Sequence, residues 1–532
     1  MNKSAYPKIY LIHPPTRAYR GLGASLAGNE HIGLEYVASY LRNSRYDVSI
    51  LNIEGNYRLP RVVAEQVFLA QPLWVGISPT SLSIEWSIEF GKFLKNLTTI
   101  PFVFGGHLST HMGADLLKHI ECADIVVAGD GELTALALSK ALESKGSHLE
   151  KVPSIFFRKH RQIMHSGTPL LPSSLDELHW PVRPTLESIG KSNSARILTS
   201  RGCPYRCSFC TTPAFYQRQI RYRSIEDVVR EMIFLNQKYG VTNFPINDDI
   251  FIDGSLNSIL RTISLSRLLK EKLPSISFRP LCRTDVFLRH EELLSELHAA
   301  GMKCIFIGLE SANDNDLKHL RKDIKVSQNE VIIKLLNKYN ISLMIGFIMY
   351  TEVSTFESLR QNLEYLYSID QLFRTTAICR SSLGFPGTDI YSEMLRTGRF
   401  DRQRSTPFIL YPKFRDERIR ELSLAMEEVE ELFASVDSKM LSARVNLYDE
   451  TLRLTNGKNP VLQRARSILD EISKIYLTSF ILAISFAKAG NSSDKIVSVF
   501  REILPRIESL CCDFELTLNK GQLLEQWQNC AY

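Results

Sequence analysis

Short apolar runs alternate with amphipathic stretches over the first ~150 residues. Residues 9–12, 46–51, 73–78, 102–104 and 125–127 read as strands, and helical periodicity is clearest at 33–42 and 83–97. Strands of this length separated by single helices imply βαβ units and a parallel sheet covered on both faces. The pattern therefore predicts a doubly wound, Rossmann-like domain over residues 1–150, with any ligand at the C-terminal ends of the strands.

Residues 151–195 lose the alternation. Pro169 and Pro172, the pair Ser173-Ser174, and then Pro181 and Pro184 punctuate a stretch that reads as a linker. A second alternation begins at residue 196, with strands expected at 196–199, 243–247, 276–282, 304–309, 342–348 and 375–379. Helices are expected between them at 224–238, 256–271, 290–300, 327–339 and 354–368. Six strand–helix repeats over 196–385 suit a partial (β/α)6 barrel, whose chemistry belongs at the C-terminal strand ends. From 386 to 532 the periodicity turns helical, at 417–433, 461–487 and 493–510, which makes an α-rich third region.

Composition narrows this α/β picture. At 532 residues the chain exceeds one ordinary core, and 44% hydrophobic with 23% charged residues is a globular balance. The net charge of +6 is spread without a Lys/Arg block, so nucleic acid is not an expected partner. The longest apolar run, residues 475–487, is shorter than the ~20 residues a spanning helix needs and reads as a buried helix. With no signal peptide visible at the N-terminus, a cytoplasmic location is expected. Ten cysteines in such a chain argue against a disulfide framework. Seven of them (Cys122, Cys282, Cys304, Cys379, Cys511, Cys512, Cys530) have no ligand spacing and read as small buried hydrophobes.

The other three stand in Gly202-Cys203-Pro-Tyr-Arg-Cys207-Ser-Phe-Cys210. Thiolates are the usual ligands of iron–sulfur clusters, and a four-iron cluster held by three of them keeps one iron open for a reacting ligand. Zinc would want a fourth Cys or His, and the nearest histidines, His179 and His290, are distant in sequence.

Three cysteines at this spacing, just after the first strand of a β/α repeat, resemble the signature of the radical S-adenosylmethionine (SAM) superfamily over residues ~195–385. The resemblance implies a [4Fe-4S] cluster on Cys203, Cys207 and Cys210. Its open iron would chelate SAM, and an electron donor such as flavodoxin or ferredoxin would drive cleavage to a 5′-deoxyadenosyl radical. It further implies Phe209 against the adenine, Asp248 and Asp249 near the methionine moiety, Arg283 on the SAM carboxylate, and Glu310 and Ser311 as ribose and methionine contacts. Each could instead be a core aromatic, a cap or an ion pair. Gly346-Phe-Ile-Met-Tyr-Thr departs from the Gly-x-Pro-x-Glu pattern of many relatives.

The front domain is similar to the cobalamin-binding class of that superfamily. The matching stretches are Val75-Gly-Ile-Ser78-Pro-Thr80, Gly105-Gly106-His107 and Ala128-Gly129-Asp-Gly131-Glu132-Leu-Thr134. Ser78, Thr80, Gly105, Gly106, Gly129, Gly131 and Glu132 are the implied cobalamin contacts. The Asp-x-His-x-x-Gly motif that supplies an axial histidine elsewhere is absent, and the first strand runs instead into His13-Pro-Pro-Thr16. The function implied is methylation of an unactivated carbon of a specialised metabolite or peptide. The alternatives are cyclisation or rearrangement on the same architecture, with or without cobalamin, and a non-catalytic iron–sulfur or zinc module.

Overall fold

The computed structural model describes residues 6–16, 30–53, 57–144, 148–160, 162–168, 171–442 and 459–520; Pro169 and Cys530 lie outside these residues. The front sheet has parallel strands β1 (Lys8–His13), β2 (Asp47–Asn52), β3 (Trp74–Ile77), β4 (Phe102–Phe104) and β5 (Ile125–Val127), followed by β6 (Ile155–Lys159) and β7 (Gln162–His165). Their order is β2-β1-β3-β4-β5-β6-β7. The chain leaves β1 to one side for β2 and returns to the other for β3, so the topological switch lies at β1. Strand order reverses there, and a crevice opens at the C-terminal ends.

β6 and β7 correct the linker reading of 151–195. They add an antiparallel hairpin to the sheet edge, β5 pairing with β6 from Ile125–Phe157 to Val127–Ile155. Apolar Ile155 and Phe157 face the core while Arg158 and Lys159 reach solvent, the half-buried signature of an antiparallel edge.

The second unit builds parallel rungs from β10 (Asn243–Pro245), β11 (Ser277–Arg279), β12 (Leu281–Cys282), β13 (Cys304–Glu310) and β14 (Ser342–Phe347). Pro280, with no amide hydrogen to give, splits the strand expected at 276–282 into two. Two outer rungs are thinner than expected. Residues 196–199 contribute a single bridge, Ile197 to Ile246, because the Thr199 amide donates to the Asp248 carboxylate rather than to a neighbouring strand. The strand expected at 375–379 is a helical turn, Thr376–Cys379, and the sixth rung is the parallel bridge from Tyr350 to Ser381.

Helices Glu417–Leu432, Ala434–Ser442, Pro460–Lys488 and Ser493–Lys520 form the α-rich region. They share one apolar core with the barrel, in which Ile305, Ile307 and Leu363 are continuous with Phe433, Tyr476, Phe480 and Phe500. The apolar run 475–487 buries Tyr476, Phe480, Ala483 and Ala487 there. Among the described residues no helix is long and apolar enough to cross a membrane. Cys122, Cys282, Cys379 and Cys511 are buried as expected, whereas Cys304 is half-buried and Cys512 is exposed.

Between barrel and tail, residues 383–412 run back as a strap. Gly384 bridges Leu410, the Ile390 amide donates to the Ser208 carbonyl at 3.0 Å, and Phe408 inserts into the front-domain core.

Candidate active site

The cysteine loop hangs between two short antiparallel strands, β8 (Ser200–Arg201) and β9 (Arg221–Tyr222). Gly202 begins it at φ +103°, and a β-carbon there would lie 2.0 Å from the Gln219 carbonyl oxygen, so both ends of the loop close on a position only glycine fits. Asp249 fastens the same loop twice, accepting from the Gly202 amide at 2.9 Å and the Thr212 hydroxyl at 3.0 Å. The Ser208 amide and hydroxyl donate to the carbonyls of Leu320 and His319 at 3.0 and 3.1 Å. The three thiols are partly exposed. Burial pushes the Cys203 thiol up to about 12 and raises Cys210 as well, so without a metal they would stay protonated. A bound iron–sulfur cluster would replace those protons. Among the described residues no three His, Cys, Asp or Glu converge on a single-ion site, and a four-iron cluster would not need one.

The residues expected around SAM divide. Asp248 is fully engaged inside the protein: its two oxygens accept from the amides and hydroxyls of Thr199 and Ser200 at 2.5–3.0 Å. Ser311 is likewise buried, its hydroxyl between Asp316 and Asn362. Both are structural, and Asp249, the neighbour on the other face, is the one that reaches the loop. Phe209 packs in an apolar cluster with Leu320, Ile390, Met394 and Leu410, which makes it the loop's anchor to the strap. Arg283 lies beside the loop, with Nη1 3.6 Å from the Cys207 sulfur and the guanidinium 4.0 Å from the Tyr205 ring centroid. Its Nε donates to Asp285 and its Nη2 to the Lys322 carbonyl, so its fork is not free for a bidentate carboxylate. Glu310 ends β13 at a register irregularity with φ +65° and pairs with Lys322 at 2.8 Å. A buried non-glycine residue held there costs roughly 1–3 kcal/mol, and such residues cluster at functional sites.

The front-domain residues behave as a set. Ser78, Thr80, Gly105, Gly106, Gly129 and Gly131 all line one cavity of about 650 Å³. Its far wall comes from the barrel side: Arg201, Thr211, Phe215, Asn247 and Asp249. Thr211 follows Cys210, so the cavity abuts the cysteine loop. Gly106 stands at φ +84°, and a β-carbon there would meet the Ser78 hydroxyl at 2.5 Å. That bare backbone, beside a hydroxyl and an apolar lining, fits the close approach of a flat macrocycle or its tail. Glu132 also lines the cavity, but its carboxylate is engaged by Arg201 at 2.6 Å rather than offered to a ligand.

Four histidines share that cavity: His13, His31, His107 and His111. Burial holds them neutral, with His13 pushed down to about 3 and His31 and His111 to about 4. The His31 Nδ1 caps the helix Ile32–Asn43 by accepting from the Leu34 amide. His13, whose ring meets His31 edge-on at 4.5 Å between centroids, keeps its Nδ1 without a hydrogen bond. His107 stacks on Phe215 at 4.2 Å. Sequence reasoning passed over His107 and His111 as site residues. The signal was their four-residue spacing on the helix Gly106–Met112, which puts both on one face.

Residues 197–366 match the radical SAM superfamily and residues 19–139 match the B12 binding domain. An uncharacterised methyltransferase of Pyrococcus horikoshii is 26% identical over 389 residues, 72% of this chain and 82% of that one. The anaerobic magnesium-protoporphyrin IX monomethyl ester cyclase of a Synechocystis species is 26% identical over 374 residues, 69% of this chain and 72% of its own. Among solved structures, the cobalamin-dependent S-adenosylmethionine radical enzyme OxsB, with aqua-cobalamin and S-adenosylmethionine bound, superposes with a TM-score of 0.71. The match covers 97% of this chain and 81% of OxsB at 18% identity, a likeness of fold. Three cysteines on one loop, a glycine-walled crevice facing them and these two matched domains converge: the chain belongs to the radical SAM superfamily, as a member with a B12-binding domain ahead of its barrel.

Proposed function

We propose that this enzyme is a cobalamin-dependent radical SAM methyltransferase acting on an unactivated carbon of a small molecule or peptide. The observation that carries the reading is the shared cavity, whose one wall is the glycine-lined end of the front sheet and whose other begins at the residue after Cys210. Cys203, Cys207 and Cys210 would hold the cluster; Ser78, Gly105, Gly106 and Gly129 would form the corrin wall. When bound, the cluster with SAM supplies a carbon-centred radical and cobalamin a transferable methyl group.

The protein's part is position and dryness. Asp249 keeps the cysteine loop closed. Phe385 and Pro386 of the strap line the cavity, and Gly387 lies so close to the His111 ring that a β-carbon there would fall 2.3 Å from it, which seals that edge. The four neutral histidines leave the cavity without cationic imidazoles, suiting a substrate that presents an apolar carbon. The reductant would be a flavodoxin or ferredoxin, and the setting the cytoplasm.

Anaerobic reconstitution with iron, sulfide and hydroxocobalamin tests this. The loaded protein is expected to keep a brown chromophore and corrin bands through gel filtration, and to form 5′-deoxyadenosine from SAM on reduction. A cobalamin-saturated preparation that sheds its corrin defeats the methyltransferase reading. A ring-forming or rearranging enzyme is the second reading, favoured by the cyclase among the relatives. Product mass separates the two, because methylation adds one CH₂.

A further inference from the structure

Each strand that brackets the cysteine loop carries an arginine, and the two are cross-strand partners, Arg201 on β8 opposite Arg221 on β9. Like charges set opposite one another destabilise a pair unless anions neutralise them. The anions come from the front domain. Arg201 reaches Glu132 at 2.6 Å and Asp130 at 3.2 Å, and Arg221 pairs with the other Asp130 oxygen. The side chains of Arg201, Asp130 and Glu132 are 7%, 5% and 3% exposed, so water screens this cluster little. Two cations and two carboxylates balance, the condition under which buried ions are tolerated.

The place of these charges gives them a direction. Asp130 sits in the loop after β5, between Gly129 and Gly131, and Glu132 opens the helix Glu132–Glu143 that follows; both line the cavity. Arg201 directly precedes Gly202-Cys203, and Arg221 closes the loop's other end. One cluster thus ties both ends of the cysteine loop to the wall of the corrin site. It is not needed merely to hold the domains together, because a second buried set does that: Arg183 joins Glu30 of the front domain at 3.0 Å to Glu231 of the barrel at 2.8 Å.

We propose that Asp130 and Glu132 are positioning residues that fix the register between the cluster loop and the corrin site. In this role they let radical formation and methyl transfer meet on one substrate atom. The inference rests on the cobalamin reading above for the second site, but not for the first.

The test uses the full chain, wild type and the variants Glu132→Gln and Asp130→Asn. Amide hydrogen exchange of peptides from residues 202–220, in protein reconstituted with iron and sulfide alone, is expected to quicken about tenfold or more in each variant, with the helix Ile225–Tyr239 unchanged. After hydroxocobalamin loading and reduction, variants with full iron and corrin content are expected to show an altered magnetic coupling between the cluster and cob(II)alamin by electron paramagnetic resonance. Wild-type coupling in such variants overturns the proposal, whether or not loop exchange quickens, because the carboxylates would then be adhesive only. If wild-type protein fails to hold corrin, the cobalamin reading falls, and unchanged loop exchange would then sink the anchoring claim separately. Should Glu132→Gln not fold, Arg221→Lys, which keeps charge but loses the planar fork, is read by the same two measurements.

Discussion

The Asp249 carboxylate takes the Gly202 amide at 2.9 Å, so the aspartate at the end of the second barrel rung clasps the residue from which the cysteine loop departs. A second oxygen holds Thr212 beyond the last cysteine, and one side chain therefore fixes the loop's span.

Replacing Asp249 should loosen the cluster without unfolding the barrel. Groups that orient metal ligands typically contribute about 10- to 100-fold to metal retention. Asp249→Ala is expected to lose iron by that order on desalting, with Asp249→Asn less affected because it keeps an acceptor. Iron and sulfide per chain, beside an unchanged far-ultraviolet dichroism spectrum, measure it; full iron content in the alanine variant would refute the clasp.

Removing the thiolates goes further. The triple change Cys203→Ala, Cys207→Ala, Cys210→Ala should abolish both the brown chromophore and deoxyadenosine formation from SAM, since no other cysteine lies on that loop. Deoxyadenosine persisting under dithionite in this variant would show that the loop is not where SAM is cleaved.

Gly106 and Gly240 make an internal control. A β-carbon on Gly106 meets the Ser78 hydroxyl at 2.5 Å from a left-handed backbone, whereas one on Gly240, also left-handed but outside the cavity, meets nothing within 4 Å. Gly106→Ala should weaken hydroxocobalamin retention by an order of magnitude or more, about 1.4 kcal/mol per tenfold, and Gly240→Ala should change it little. Equal retention by the two variants, read from corrin absorbance after gel filtration, would remove Gly106 from the corrin wall.

The buried histidine pair predicts the acid limb of stability. Desolvation first, and then each other's charge for His13, hold His13 near 3 and His31 near 4 in the folded chain, against about 6.5 when unfolded. Between these values the unfolded chain binds more protons, so stability falls as pH drops below 6.5. By pH 5 each histidine costs at most about 2 kcal/mol. The double variant His13→Asn/His31→Asn, in which an asparagine side chain can still cap the helix Ile32–Asn43, should show a smaller loss of thermal midpoint between pH 7 and pH 5. A drop as large as that of the wild type would place the acid sensitivity elsewhere.

Local pattern carried much of this molecule and failed where partners are remote. The five parallel front strands follow from apolar runs, and the cysteine loop follows from spacing alone. Thr375 and Thr376 resemble a strand because both are β-branched, yet Asp437 takes the Thr375 amide and hydroxyl and turns the segment into a helical start. Asp248 and Asp249 are indistinguishable in sequence, since adjacent residues at a strand end point to opposite faces and only the packing says which meets the loop. The pairings of Arg201 with Glu132 and of Arg183 with Glu30 span 69 and 153 residues. No periodicity encodes contacts at that range. Glu132 was visible as a motif residue, but its role as a counter-ion was not.

The apolar interior that runs from Ile307 to Phe480 and Phe500 has a bearing on how this chain is divided. The radical SAM match ends at residue 366, but the interior does not. A truncation there would cut through one continuous core and leave Leu363, Leu366 and their neighbours facing water, so the matched segment and the smallest stable piece are different objects. The helices that follow the catalytic unit are part of what keeps it folded.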